Sequence, residues 1–217
     1  MPDYAYLVQM DIPAEHEADF NRVYDTEHAK YICNASGVHS CDRFLLKSTD
    51  APKFARYAAL YGIDDPGVPT SAGWQAESEK GDWATKIRPH ATNRTHTILR
   101  RIADAGDASV EAGYVYVVQT DIAADAEDEF NHLYDTVHLP GLCRVDGVES
   151  ATRYRVESTN LDGLQKYAAV YHIASPEVVE SEAWKSAAQD EWAAKVRSKC
   201  IGLTHALMEC VARHPAA

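Results

Sequence analysis

Two short segments carry the residues best suited to moving protons. The first is Asn21-Arg22-Val23-Tyr24-Asp25-Thr26-Glu27-His28 and the second Asn131-His132-Leu133-Tyr134-Asp135-Thr136-Val137-His138. On a helix, residues three and four apart are neighbours, so Asn21, Tyr24 or Asp25, and His28 share adjoining parts of one face. An imidazole within reach of a phenol or carboxylate one turn earlier makes an acid–base group, because histidine changes charge near neutral pH. In the second segment Leu139-Pro140-Gly141 follows at once. Proline there predicts a helix end near His138, where the helix dipole favours the protonated ring. The first segment continues as Ala29-Lys30-Tyr31, so the two sites are not expected to be equivalent.

A second histidine pair, His96 and His205, follows Thr95 and Thr204. Strand alternation puts His96, Ile98 and Arg100 on one face, and if that face looks toward the helix, His96 shares a pocket with His28. Arg43 and Arg153 on the second strands are candidates for holding a substrate carboxylate or enolate, and Asn21 and Asn131 on the helices are further substrate-binding candidates. Each of these residues also has a plain structural use. Histidines bond at helix ends, tyrosines pack with a tethered hydroxyl, arginines pair at surfaces, and Trp74, Trp83, Trp184 and Trp192 pack helices.

The elements that position these residues come twice. Tyr4-Ala5-Tyr6-Leu7-Val8-Gln9-Met10-Asp11-Ile12 returns as Tyr114-Val115-Tyr116-Val117-Val118-Gln119-Thr120-Asp121-Ile122, a displacement of 110. Phe20, Tyr24, His28, Gly37, Arg43, Tyr57 and Trp74 match Phe130, Tyr134, His138, Gly147, Arg153, Tyr167 and Trp184 at that displacement. Beyond Trp74 it drops to 109, pairing Trp83 with Trp192, Arg88 with Arg197 and His96 with His205. Two copies of about 100 residues make a duplicated domain rather than a solenoid. The boundaries are 1–103 for the first repeat, 104–113 for a small, acidic, Gly-containing linker, and 114–213 for the second.

Within the first copy, residues 4–12 read as a strand and 14–32 as a helix with Phe20, Val23, Tyr24 and Tyr31 at helical spacing. Strands follow at 38–46 and 54–63, then a helix over 71–88 and a closing strand over 95–102. This βαββαβ order is the ferredoxin-like unit, α+β in class, with both helices on one sheet face. The bare face must be buried, and two copies can bury it against each other. The expectation is two sheets packed face to face as an intrachain pseudo-dimeric barrel, helices outside, enclosing one chamber into which the histidines project.

Composition narrows the function. The 217 residues are 46% hydrophobic and 25% charged, which supports packed cores and excludes disorder. Lys and Arg total 21 against 33 Asp and Glu, a formal charge of -12, so neither nucleic acid nor an anionic membrane is an expected partner. No apolar run reaches membrane-spanning length and no signal peptide is legible, which reads as soluble and cytoplasmic. The five cysteines, odd in number and without a Cys-x-x-Cys, read as reduced thiols. No glycine-rich nucleotide loop, nucleophile elbow or His-Glu-x-x-His occurs. The spacing of His28 and Cys33 is not a metal-ligand pattern, so neither metal nor cofactor is expected. Most of the negative charge lies beyond Ala103, which fits one functional and one degenerate pocket.

The segment Phe-Asn-x-x-Tyr-Asp-Thr-x-His, with its following Gly-Val and strand, resembles the EthD-like branch of the dimeric α+β barrel superfamily across both repeats. His138-Leu139-Pro140 keeps the family's His-Leu-Pro, whereas Ala29-Lys30 departs from it. The resemblance implies a pocket for a small aromatic or polyketide-like molecule, with histidine, tyrosine or acid acting on its protons. The leading expectation is a cofactor-independent isomerase, cyclase or lyase acting on a carbonyl, lactone or phenolic substrate of aromatic catabolism through an enolate. The alternatives are a non-catalytic small-molecule-binding accessory protein and a cofactor-free or haem-dependent oxidoreductase. The number of chains in the assembly stays open, a homo-oligomer included.

Overall fold

The computed structural model describes residues 2–216. β1 (Tyr4–Asp11) leads through a short turn into α1, residues 17–33, and then into β2 (Val38–Thr49) and β3 (Tyr57–Ile63). A short α2 (Ala72–Ser78) and a π turn (Trp83–Ile87) precede β4 (Thr92–Gly106). The same succession follows as β5 (Tyr114–Ile122), α3 (residues 127–142), β6 (Val148–Thr159) and β7 (Tyr167–Ile173). It ends with α4 (Glu182–Ala187), α5 (Glu191–Lys195) and β8 (Cys200–Pro215).

The eight strands form one closed antiparallel barrel in the order β1-β3-β2-β8-β5-β7-β6-β4, with β4 returning to β1. The ferredoxin-like order β4-β1-β3-β2 thus recurs as β8-β5-β7-β6. The expectation of two stacked sheets is corrected at their edges, which are hydrogen-bonded to each other. β2 pairs with β8, as in Cys41↔His214, and β4 pairs with β6, as in Leu99↔Val156. Closure removes the rows of unpaired backbone groups that free edges would expose. Residues 104–106, read as the start of the linker, continue β4 because Asp104 and Gly106 pair with Thr152 and Ser150. Gly106 holds φ at 81°, and a Cβ there would run into the Glu149 carbonyl, so the chain leaves the barrel only through a glycine.

Strand alternation sorts side chains between two environments. Phe44, Ala58, Val115, Val170 and Met208 fill the barrel interior with Leu7, Leu60 and Val117. The alternate residues face the helices. Phe20, Tyr24 and Ile32 of α1 pack on Met10, Tyr57, Tyr61, Trp74 and Trp83. Phe130, Tyr134 and Leu142 of α3 pack on Tyr167, Tyr171, Trp184 and Trp192. Each such side chain stabilises the fold by about 1.5–3 kcal/mol. Because His96 lies opposite Val8 and His205 opposite Val118, both histidines share the helix-facing side. The histidines therefore project between barrel and helices, not into a chamber between the two sheets, whose interior is apolar.

Both long helices are interrupted by a π turn over the motif, at Tyr24–His28 and Tyr134–His138. The amide of Ala29 bonds the Tyr24 carbonyl and that of Leu139 the Tyr134 carbonyl, five residues back. The expected helix end at His138 does not occur, and a helical turn continues over Leu139–Leu142 with Pro140 in its first positions. The widened turn and the early position of Pro140 suit a residue with no amide hydrogen to give. His138 is consequently buried inside a helix rather than charged at its end.

Candidate functional site

In the second half, α3, α4, α5 and the barrel wall line an open cleft of about 220 Å3. His138 and His205 line it with Tyr116, Tyr134, Trp184 and Arg197. The π turn aims the Tyr134 ring edge at His138, centroids 4.8 Å apart, and His138 stacks on Trp192 at 4.3 Å. Tyr134 and Tyr171 join hydroxyls at 2.9 Å. Burial pushes the Tyr134 phenol up to about 12, so it remains a donor at neutral pH.

Each histidine of this cavity has an aspartate partner. His138 Nδ1 donates to Asp190 Oδ2 at 2.8 Å, and Asp190 Oδ1 caps α5 by accepting from the Ala193 amide. A carboxylate only accepts, so Nδ1 carries the hydrogen and Nε2 keeps its lone pair. Burial lowers the His138 pKa, and the opposing pull of Asp190 does not restore it, so the ring is neutral at pH 7. His205 Nδ1 and its amide both donate to Asp50, which reaches over from the end of β2 in the first half. Partial burial raises the Asp50 carboxyl, but these bonds bring it below the ordinary range. Arg197 lies 5.5 Å from the Trp192 ring centroid and is anchored on the Ala188 carbonyl.

The first half brings together the same residue types without those partners. His28 stacks on Trp83 at 4.4 Å, but its Nδ1 is buried with no partner. Burial, then the charges of Arg88, Arg94 and Arg43, bring its pKa down to about 3. At the displacement of 109, Gly81 stands where Asp190 does, and at 110, Asn160 stands for Asp50. Asn160 accepts only the His96 amide, while His96 Nδ1 is tied to the Tyr6 hydroxyl at 2.6 Å. Tyr24 bonds Tyr61 at 2.7 Å, as its counterpart does.

Three pairs of sequence candidates are placed elsewhere. Arg43 and Arg153 are buried at 1% exposure, each ion-paired with Asp25 or Asp135 and bonded to Asn21 or Asn131 Oδ1 at 3.0 Å. Their guanidinium groups lie 4.4 and 4.3 Å from the Tyr24 and Tyr134 ring centroids. Asp25, Asp135, Asn21, Asn131, Arg43 and Arg153, expected as bases and substrate contacts, are thus engaged with one another in each half. Their hydrogen-bonding capacity is used to fasten the long helices to β2 and β6, because a buried guanidinium must be paired. The sequence reading missed Asp190, Asp50 and Arg197. The available signal was the mismatch of the copies, Asp against Gly and Asp against Asn, rather than their agreement.

No protein-family model matches the chain, and no curated protein matches it. Solved structures do. An anthrone oxidase-like protein aligns at a TM-score of 0.62 and 12% identity, over 99% of this chain and 93% of that one. A proposed monooxygenase from Fusobacterium nucleatum gives 0.66 and 9%, over 98% and 94%. A chlorite dismutase variant from Candidatus Nitrospira defluvii gives 0.57 and 13%, over 95% and 90%. The fold is thus a mixed α+β barrel with neighbours of the ferredoxin-like, dimeric α+β barrel type. The expectation of an isomerase or lyase is overturned, since these similar structures carry oxidase, monooxygenase and dismutase names. Among the described residues no helix is long and apolar enough to cross a membrane.

Proposed function

We propose that the second-half cavity is the active site of a cofactor-independent oxidoreductase that oxidises a small polycyclic phenol or ketone with dioxygen. The observation that carries it is the pair of Asp–His contacts converging on one aromatic-walled cavity, absent from the equivalent positions of the first half. The oxidase- and monooxygenase-named neighbours support the reaction class. His138 Nε2 takes a proton from an activated CH2, and Asp190 stabilises the imidazolium at Nδ1. The Tyr134–Tyr171 hydroxyl pair and Arg197 face the oxygen that gains charge. Trp184, Trp192 and Tyr116 provide the flat walls for the rings. The carbanion passes electrons to O2 and gives a hydroperoxide, which loses water as the carbonyl forms, so CH2 + O2 yields C=O + H2O.

The haem-dependent form of this chemistry does not fit the cavity. At about 220 Å3 it is below the ~300–1,000 Å3 of pockets for drug-sized ligands, and a tetrapyrrole is larger than those ligands.

The finer parts of the reading rest on the sequence. A tandem duplication of an EthD-like unit, with repeats 1–103 and 114–213 forming an intrachain pseudo-dimer, is supported by the repeated motif and the repeated strand order. A reducing, cytoplasmic setting is supported by five free cysteines, of which Cys33 and Cys143 are pushed up to about 11 by burial. The test is oxygen uptake with anthrone as probe. The expected result is one O2 consumed per quinone formed, with no turnover under nitrogen. Product formation that continues without oxygen, or binding of anthrone with no turnover in air, would reject the proposal.

A further inference from the structure

At the end of the barrel where β1 begins lies an open cavity of about 370 Å3 that the proposed reaction does not use. Both halves line it with inward-facing residues. Asp42, Thr152 and His172 each stand two positions along a strand from an interior side chain, Phe44, Tyr154 and Val170. Residues 108–112 of the connection between the halves form one wall. Arg213 of β8 holds that wall, donating to the Ala112 carbonyl and approaching Glu111 at 3.6 Å.

Two groups in this cavity have unused bonding capacity. Among the described residues no hydrogen bond or ion pair engages the side chain of Asp42 or of His172. Asp42 stands directly opposite Arg213 on paired strands, yet the two side chains form no ion pair. The Arg213 charge nevertheless acts on both Asp42 and His172, so the three share one neighbourhood. Burial raises the Asp42 carboxyl, and burial with the Arg213 charge brings His172 down to about 4. At pH 7 the imidazole is therefore neutral, with one lone pair and one N–H to offer. A half-buried carboxylate with nothing to accept from costs free energy unless a donor is supplied.

The two halves also contribute unequally. The displacements of 110 and 109 set Thr152 against Asp42, Gly62 against His172 and Asp104 against Arg213. Two identical halves would present every group twice, whereas here Asp42 and His172 come once each, an arrangement suited to a ligand with unlike ends.

We propose that this end of the barrel binds a small zwitterion of the α-amino-acid class, its ammonium on Asp42 and His172, its carboxylate on the remaining N–H groups of Arg213, and its side chain against Ala5, Leu60 and Val110. A simple amine would meet the Arg213 charge unrelieved, and a simple anion would meet Asp42 and Glu111. A ligand carrying both charges relieves both, and each contact is charge-assisted.

The test is calorimetric titration of the whole chain at neutral pH with L-norvaline, n-butylamine and pentanoate, which share a hydrocarbon chain and differ in charge. Norvaline binds with a dissociation constant at or below about 1 mM, and at least about tenfold more tightly than either singly charged probe. Asp42→Asn weakens norvaline about tenfold or more, the scale of a lost charged hydrogen bond. Arg213→Gln brings norvaline to within about threefold of butylamine, because its carboxylate then lacks a charged partner. Should either variant melt early, His172→Gln, at a half-buried position, still weakens norvaline at least about threefold. Butylamine or pentanoate binding as tightly as norvaline, no binding of norvaline, or unchanged affinity in Asp42→Asn overturns the proposal.

Discussion

His138 and Asp190 meet through Nδ1 and Oδ2 at 2.8 Å across 52 residues of chain, and the equivalent residues of the first half, His28 and Gly81, cannot. Gly81 sits at φ 65°, and a Cβ on it would collide with Glu27 and press on Tyr31. Glu27 has taken over one duty of the lost carboxylate, accepting the Asp82 amide at 2.9 Å as Asp190 accepts that of Ala193 at 3.0 Å. It does not take over the other, for His28 Nδ1 stays unpaired. The two halves therefore keep the same packing while only one keeps the charge pair that makes a base of its histidine.

Removing that pair should separate the halves by activity. Asp190→Asn is expected to lower kcat by about 10²-fold, and His138→Ala by at least as much, the usual scale for a positioned base. His28→Ala should leave turnover within about twofold, since its Nδ1 lacks the carboxylate partner that His138 has. Initial rates of oxygen uptake check all three, and an equal loss in His28→Ala would place the chemistry in the wrong half.

Asp50 acts from the opposite half, so its effect should be on geometry rather than on folding. Asp50→Asn copies the residue that the first site already has at Asn160. The amide can still accept the His205 backbone N–H, but the charged contact to Nδ1 is lost. The expected result is a loss of about tenfold in kcat/KM, on the order of 1.4 kcal/mol in transition-state binding, with little change in melting temperature. A large drop in melting temperature instead would make Asp50 a structural clasp.

Acid should destabilise the fold through its buried neutral histidines. His28 and His172 are lowered to about 3 and 4, chiefly by burial, and His138 is lowered as well. The unfolded chain binds protons on these rings as pH falls through about 6.5, while the folded chain does not. Stability is thus fully present above about 6.5 and lost progressively below it, until the folded values are reached. Between pH 6.5 and 5 each ring costs at most about 2 kcal/mol. Melting curves at a series of pH values check this, and His28→Phe should flatten the slope. For the same reason the acid fall of kcat/KM should come at lower pH than an ordinary histidine would give, since burial lowers the His138 pKa.

Arg153 should matter to stability and not to substrate. Arg153→Met leaves Asp135 and Asn131 without their donor, expected to cost roughly 3–5 kcal/mol and on the order of 10 °C in melting temperature. The double variant Arg153→Met with Asp135→Leu should recover much of it, because both charges are then gone. A variant that melts normally but shows a raised KM would return Arg153 to the substrate.

The barrel was legible because burial imposes periodicity. The mostly apolar run Tyr4–Asp11 follows from having both faces covered, and the helical spacing of Phe20, Tyr24 and His28 from having one. The π turn was not legible, since it needs an added residue per turn that leaves no compositional trace. It changed His138 from a charged helix end into a buried neutral ring, which reverses the predicted protonation. Asp25, Arg43 and Asn21 looked like chemistry because their types fit it. In the fold Arg43 is buried against Phe20 and Tyr24 and bonds both Asp25 and Asn21.

By itself the amino-acid sequence determined the repeated βαββαβ order, the two histidine pairs and the inequality of the halves, because these depend on neighbours a few residues apart. Only the tertiary structure decided that the sheets join at their edges and that Asp190 and Asp50 reach the histidines. Those two aspartate–histidine contacts cross 52 and 155 residues of chain, and at such separations only the packed fold brings groups within hydrogen-bonding range.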